Sequence, residues 1–291
     1  MPCCRRSTET CDHARGRPTF GARVEQPICV TCGVQREEIA DVCAICADER
    51  QYVGWGGQSW TTLPEMRAAG YRNRIEEVDP DLWGMGTEPR FAIGQRTLLV
   101  KTDHGNLLWD PMSYMDEETV AHVRKLGGVQ VISASHPHFY GILVEWSQTF
   151  DDAPIHLPSA DRAWVQRTDG EYRFYDDEVS SLPGLTLIRC GGHFEGSAVL
   201  HWAGGAGGRG ALLSGDTIQV VMDRRAVSFM RSYPNLIPLD PATIRDIEGR
   251  LAAYEYDRIY GGWWGRNISA GAAEAVAASA DRYIRYAGGE V

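Results

Sequence analysis

The stretch Ser133-Ala134-Ser135-His136-Pro137-His138-Phe139-Tyr140-Gly141, SASHPHFYG, follows the apolar run GGVQVI and precedes ILVEW. Two histidines one residue apart, at the end of a predicted strand, are either metal ligands or two incidental imidazoles. A strand running between them would turn both rings to one face, because side chains alternate with period two. Other metal-competent residues stand at the ends of further predicted strands: His193 in LIRCGGHFEGS, Asp216 in ALLSGDTIQ and Asp110 in NLLWDPM. Strand ends at one edge of a sheet converge, and a packed scaffold holds ligands rigidly there. Three neutral imidazoles and a carboxylate suit zinc or ferrous iron.

Outward from this stretch, the chain reads as a protein large enough for a substantial core, at 291 residues. Its 43% hydrophobic and 23% charged residues are those of an ordinary globular chain. A formal charge of -10 argues against a nucleic-acid partner. No apolar run approaches the roughly 18 residues of a membrane span, so no membrane partner is expected. The opening MPCCRRSTET lacks the apolar segment of a secretory signal, so a cytoplasmic location is expected.

Four segments follow from composition. Residues 1–25 are polar and aperiodic and read as a mobile arm, 26–50 as a four-cysteine module, 51–89 as a connecting segment and 90–291 as the main domain. The main domain alternates short apolar runs (TLLVK, NLLWD, VQVIS, LTLIRC, AVLHW, ALLSGD, DRIYGG) with helical stretches starting at Asp116, Ser159 and Asp240. An Ala-rich helix ends the chain before Gly288 and Gly289. Sheets covered by helices are the expected architecture.

Seven of the eight cysteines lie in the first 46 residues. Cys29-x-x-Cys32 and Cys43-x-x-Cys46 form two CxxC turns, whose four thiolates suit a tetrahedral cage. In a reducing compartment this pattern favours metal over disulfides. Zinc is expected there as a structural staple, with iron as the alternative; the segment looks like a zinc ribbon or a rubredoxin-like knuckle. The glycine-rich stretch 205–210 fits GxGxxG in letters but joins two strands without opening a helix, so it reads as a hairpin loop. His104, His122, His156 and His201 fit solvated or core positions.

The order of Asp110, His136-x-His138, His193 followed by FEGS, and Gly215-Asp216 resembles the metallo-beta-lactamase superfamily from about residue 90 to about 265. The resemblance implies an α/β fold, an αββα sandwich with its metal at one edge of two mixed sheets. It implies that His136, His138 and His193 hold a catalytic zinc (Fe2+ being the alternative), with Asp216 as fourth ligand or orienting group and Asp110 supporting a ligand. The superfamily's first motif, His-x-His-x-Asp-His, ends here in Tyr140 and Gly141, and a late histidine is replaced by Trp263 and Trp264. Those missing residues would supply a second metal, so a single ion is expected.

Function follows as an expectation: a mononuclear hydrolase whose metal-bound hydroxide attacks a small ester, lactone or thioester, with Asp216 and Tyr140 as catalytic groups. Trp146, Tyr233, Trp263 and Trp264 are expected to line the pocket, and SFMRSYPNLIPLD to gate it or to form surface. Two alternatives stand beside this: a mononuclear iron dioxygenase acting on sulfur compounds, and a non-enzymatic module with a vestigial metal. A small-molecule substrate is the only partner expected; oligomeric state is left open.

Overall fold

The computed structural model describes residues 25–288, so the expected mobile arm lies, but for its last residue, outside the described residues. Two sheets carry the architecture. The first has seven strands in chain order, from Arg72–Asp79 through Leu82–Glu88, Arg96–Thr102, Gly105–Trp109, Val131–Ser133 and Ile155–Pro158 to Tyr172–Tyr175. Its first four strands form an antiparallel meander and its last three continue in parallel. The second has six strands, in the order Glu178–Leu182, Leu185–Arg189, Ala198–Trp202, Ala211–Leu213, Arg258–Tyr260 and Asn267–Ile268.

The central strands are largely apolar because both of their faces are covered. Leu98, Val100 and Leu107 point into the layer between the sheets, where they meet Leu187, Leu200 and Leu213. Their sequence neighbours Leu99 and Leu108 point the other way, into a core shared with the helix Leu143–Thr149 and the cysteine module. On the second sheet, Ile188, Val199 and Leu212 face the helices Pro241–Leu251 and Ala272–Ala287. Three apolar layers separating four structural layers make the αββα sandwich.

Helix boundaries follow local chemistry. Asp116 caps Glu117–Lys125 by accepting from the Thr119 amide. Asp240 caps Pro241–Leu251, with proline at the first helical position. Residues 205–208 form a tight turn joining antiparallel strands, as the hairpin reading requires.

The domain boundary at 90 is corrected. Residues 72–88, read as connection, are two strands of the first sheet. Arg72–Asp79 is an edge strand with charged side chains on its exposed positions, and it lacks an apolar run for that reason. Its neighbour carries Gly84 and Gly86 because the indole of Trp264 lies against both backbones.

Candidate metal centre

The sequence SASHPHFYG does not continue the strand Val131–Ser133 through both histidines. His136 is extended, and Pro137–Phe139 form a single 3-10 turn starting at the proline. The turn, rather than strand alternation, brings the two rings together, with centroids 5.1 Å apart. The turn is supported from beneath by Asp110, whose Oδ1 accepts from the Ser135 amide at 2.6 Å. Gly215, at φ +52°, lets the Asp216 turn approach, since a Cβ there would overlap Ser135.

His193 arrives from the second sheet in the turn after Leu185–Arg189, with its ring centroid 4.8 Å from His136 and 5.3 Å from His138. Asp216 follows Ala211–Leu213. Candidate ligand atoms from His136, His138, His193 and Asp216 all lie within 4.8 Å of one another, and all four residues are buried.

The hydrogen bonds select the nitrogens. His193 Nδ1 faces the carbonyls of Met230 and Arg231 at 3.2 and 2.9 Å, so it carries the proton and leaves Nε2 basic. That Nε2 lies 3.4 Å from His138 Nδ1. His136 Nδ1 is engaged by Ser135 Oγ at 2.9 Å, while its Nε2 is buried without a hydrogen-bond partner, 3.6 Å from Asp216 Oδ2. Gln219 Nε2 donates to the other Asp216 oxygen at 2.7 Å. Bond lengths of about 2.1 Å in a tetrahedral site put neighbouring donors about 3.4 Å apart, so the spacing fits a small divalent cation.

The electrostatics agree. Burial holds His136 and His138 well below the ordinary imidazole range, and it brings His193 down to about 4 against the pull of its two carbonyl acceptors. Neutral imidazole is the ligating form. Burial also pushes Asp216 up to about 7 and Asp110 up to about 8. Such carboxylates gain by facing a cation.

The remaining expected residues divide. Tyr233 borders the centre, its ring 5.6 Å from His193 and its hydroxyl donating to the Asp216 carbonyl. Tyr140 belongs to the core of the first sheet; its hydroxyl is buried without a hydrogen-bond partner, and burial raises its pKa strongly. Trp146 is no pocket wall: it is fully buried in the core and stacks on Phe150 at 5.9 Å. Trp264 lies over Gly84 and Gly86 with Arg74 against its ring, also away from the imidazoles. Trp263 backs the site at one remove, edge-on to Phe139, which in turn contacts His136. Gly141 has no room for a side chain, because a Cβ would overlap the carbonyl oxygen of Pro111.

The four cysteines form the second cluster. Sulfur pairs Cys29–Cys46 and Cys32–Cys43 stand 3.6 and 3.8 Å apart. That is far beyond a disulfide bond and close to the roughly 3.8 Å edge of a tetrahedral zinc-thiolate cage. Gln58 braces it, its Nε2 donating to Cys29 Sγ at 3.2 Å and its Oε1 accepting from the Cys43 amide.

Sequence reasoning missed Arg50 and Asp161. Arg50 lies with its guanidinium 3.8 Å over the Phe194 ring and donates to the His193 carbonyl. Asp161 accepts from the Gly196 amide at 2.8 Å and so steadies the same turn. Neither residue sits in a motif; only their burial, 4% and 0% exposed, singles them out.

With the sandwich and the buried histidine-aspartate cluster in place, the fold is that of the metallo-beta-lactamases. DIM-1 metallo-beta-lactamase exposed to ceftazidime superposes with a TM-score of 0.54 at 15% identity, covering 73% of this chain and 98% of that one. A B3 metallo-beta-lactamase with an active-site glutamic acid gives 0.50 at 17% identity, covering 73% and 88%. No protein-family model matches the sequence. The chain belongs to the family of the uncharacterized protein YmaE of Bacillus subtilis (strain 168), to which it is 44% identical over 263 residues, 89% of this chain and 95% of that one.

Proposed function

We propose that the protein is a mononuclear metal-dependent hydrolase acting on a small ester, lactone or thioester. The observation that carries this reading is the convergence of three buried basic imidazole nitrogens and one carboxylate oxygen within 4.8 Å. A cation bound there would supply Lewis-acid chemistry and a hydroxide nucleophile near neutral pH. His136 Nε2, His138 Nδ1 and His193 Nε2 would hold it. Asp216 Oδ2 would serve as fourth ligand or accept the proton of the attacking water, with Gln219 fixing its orientation. Asp110 holds the Ser135 amide, and Ser135 Oγ engages the His136 ring.

A single ion is favoured by what fills the positions of a second. Tyr140 packs into the sheet core, Gly141 admits no side chain, and Trp263 packs on Phe139. We assign zinc to the histidine centre and to the cysteine cage. Tyr233 and the exposed Leu236 on the hairpin of 230–238 favour a substrate with an apolar part. No helix among the described residues is long and apolar enough to cross a membrane. The unpaired Cys190 and cage sulfurs fit a reducing cytoplasm.

The test is a panel of small esters, lactones and thioesters assayed with protein of measured metal content. Turnover that His138→Ala removes supports the reading. Stoichiometric metal without turnover on any member contradicts it, and iron at the histidine centre would move the assignment to oxygen-dependent chemistry.

A further inference from the structure

The two knuckles of the cysteine cage each lead directly into one arm of the histidine centre. After Cys29 and Cys32, the amide of Gln35 donates to the carbonyl of Gly141, which closes the His136–His138 turn, at 2.9 Å. After Cys43 and Cys46, residues 48–50 form a strap over the His193 turn. Asp48 grips Arg50 with both oxygens, at 2.6 and 2.9 Å. Arg50 then donates to the His193 carbonyl at 3.3 Å and to Glu195 at 3.2 Å.

The strap also reaches the carbonyls that orient the His193 ring. Glu49 pairs with Arg231 at 2.7 Å, and its carbonyl accepts from Ser232 and Asn235 at 2.8 and 2.7 Å. Met230 and Arg231 are the residues whose carbonyls face His193 Nδ1. The backbone of His193 and the acceptors of its ring are therefore both tied to residues that leave the cage within four positions of Cys46.

We propose that Arg50 is a positioning residue and that the cysteine cage preorganises the histidine centre, so that the two sites bind metal with positive coupling. The inference rests on the metal-binding part of the functional reading. An ordered strap fixes His193 before the cation arrives, and the ordering cost falls on the cage metal instead. Coupling of this kind is reciprocal, so filling the histidine centre tightens the cage by the same factor.

Zinc and cobalt(II) titrations of the full chain, with cage and histidine centre resolved by their different cobalt spectra, test this. Arg50→Lys keeps the charge and loses the fork; Glu49→Gln loosens the partner hairpin. Each is expected to weaken the histidine centre by about tenfold or more, the range for partners that orient a ligand. Thr62→Ala, which removes a nearby helix cap without touching the strap, is expected to leave that affinity unchanged. The proposal is overturned if both strap variants bind within about twofold of wild type, or if Thr62→Ala weakens binding equally. Wild-type protein with no metal at the histidines would overturn the functional reading as well, whereas tight wild-type binding with indifferent strap variants overturns only the coupling.

Discussion

The cysteine cage and the histidine centre are built from opposite materials. The cage comes from a contiguous stretch of 18 residues, Cys29 to Cys46, and its geometry is set almost entirely by two local turns. The histidine centre draws His136 and His138 from the first sheet and His193 and Asp216 from the second, and its geometry exists only once the two sheets have packed. A metal in the cage therefore contributes to folding, whereas a metal in the histidine centre occupies a site that sheet packing brings together and the strap from the cage steadies. The contrast predicts which substitutions damage stability and which damage only binding.

Loss of the cage has the largest expected effect. Structural zinc contributes about 10 kcal/mol or more of binding free energy to small modules. Cys43→Ser, or a strong chelator, should collapse the amide protection of residues 25–60 in hydrogen exchange and lower the melting temperature sharply. If that protection survives, the two regions do not differ in the way described.

Next comes His138→Ala. It should reduce metal affinity at the histidine centre by more than about 100-fold, beyond what orienting partners alone are worth. Thermal stability of the metal-free protein should hold or rise, because an imidazole with an unpartnered buried Nε2 has been removed. Calorimetry of the metal-free variant checks the second half.

A third test uses pH. Burial raises Asp161 to about 7, against about 3.9 in an unfolded chain. The folded state then keeps a proton that the unfolded state has released, so stability is fully present below about pH 4 and is lost as pH rises through 7. Between pH 5 and 7 the loss is about 2 kcal/mol. Asp161→Asn keeps an acceptor for the Gly196 amide and should lessen the loss by that amount in paired denaturant melts; identical slopes would contradict it. The smallest effect expected is that of Ser135→Ala, about tenfold in histidine-centre affinity with little change in fold.

Much of this was legible beforehand because motif residues carry their chemistry in their identity. His136, His138, His193, Asp216 and the four cysteines were readable by type, spacing and order. The strands of the central layers were readable because both faces are apolar, as in Leu98-Leu99-Val100. The strand Arg72–Asp79 was not, because an edge exposes charge and shows no apolar run. Trp146 and Trp264 read as pocket residues in the sequence but fill the core and cover a sheet edge, because an indole looks the same in sequence in either role. Arg50 was invisible for a related reason: its partners Phe194 and Glu195 lie some 145 residues away, and nothing local announces the contact.

The proposed mononuclear centre requires one cation at the histidines beside one in the cage. Elemental analysis of metal equivalents per chain, on wild type and His138→Ala purified identically, measures it directly. Two equivalents are expected in the wild type and one in the variant; three in the wild type, or no change on substitution, would rule out a single ion at the histidines.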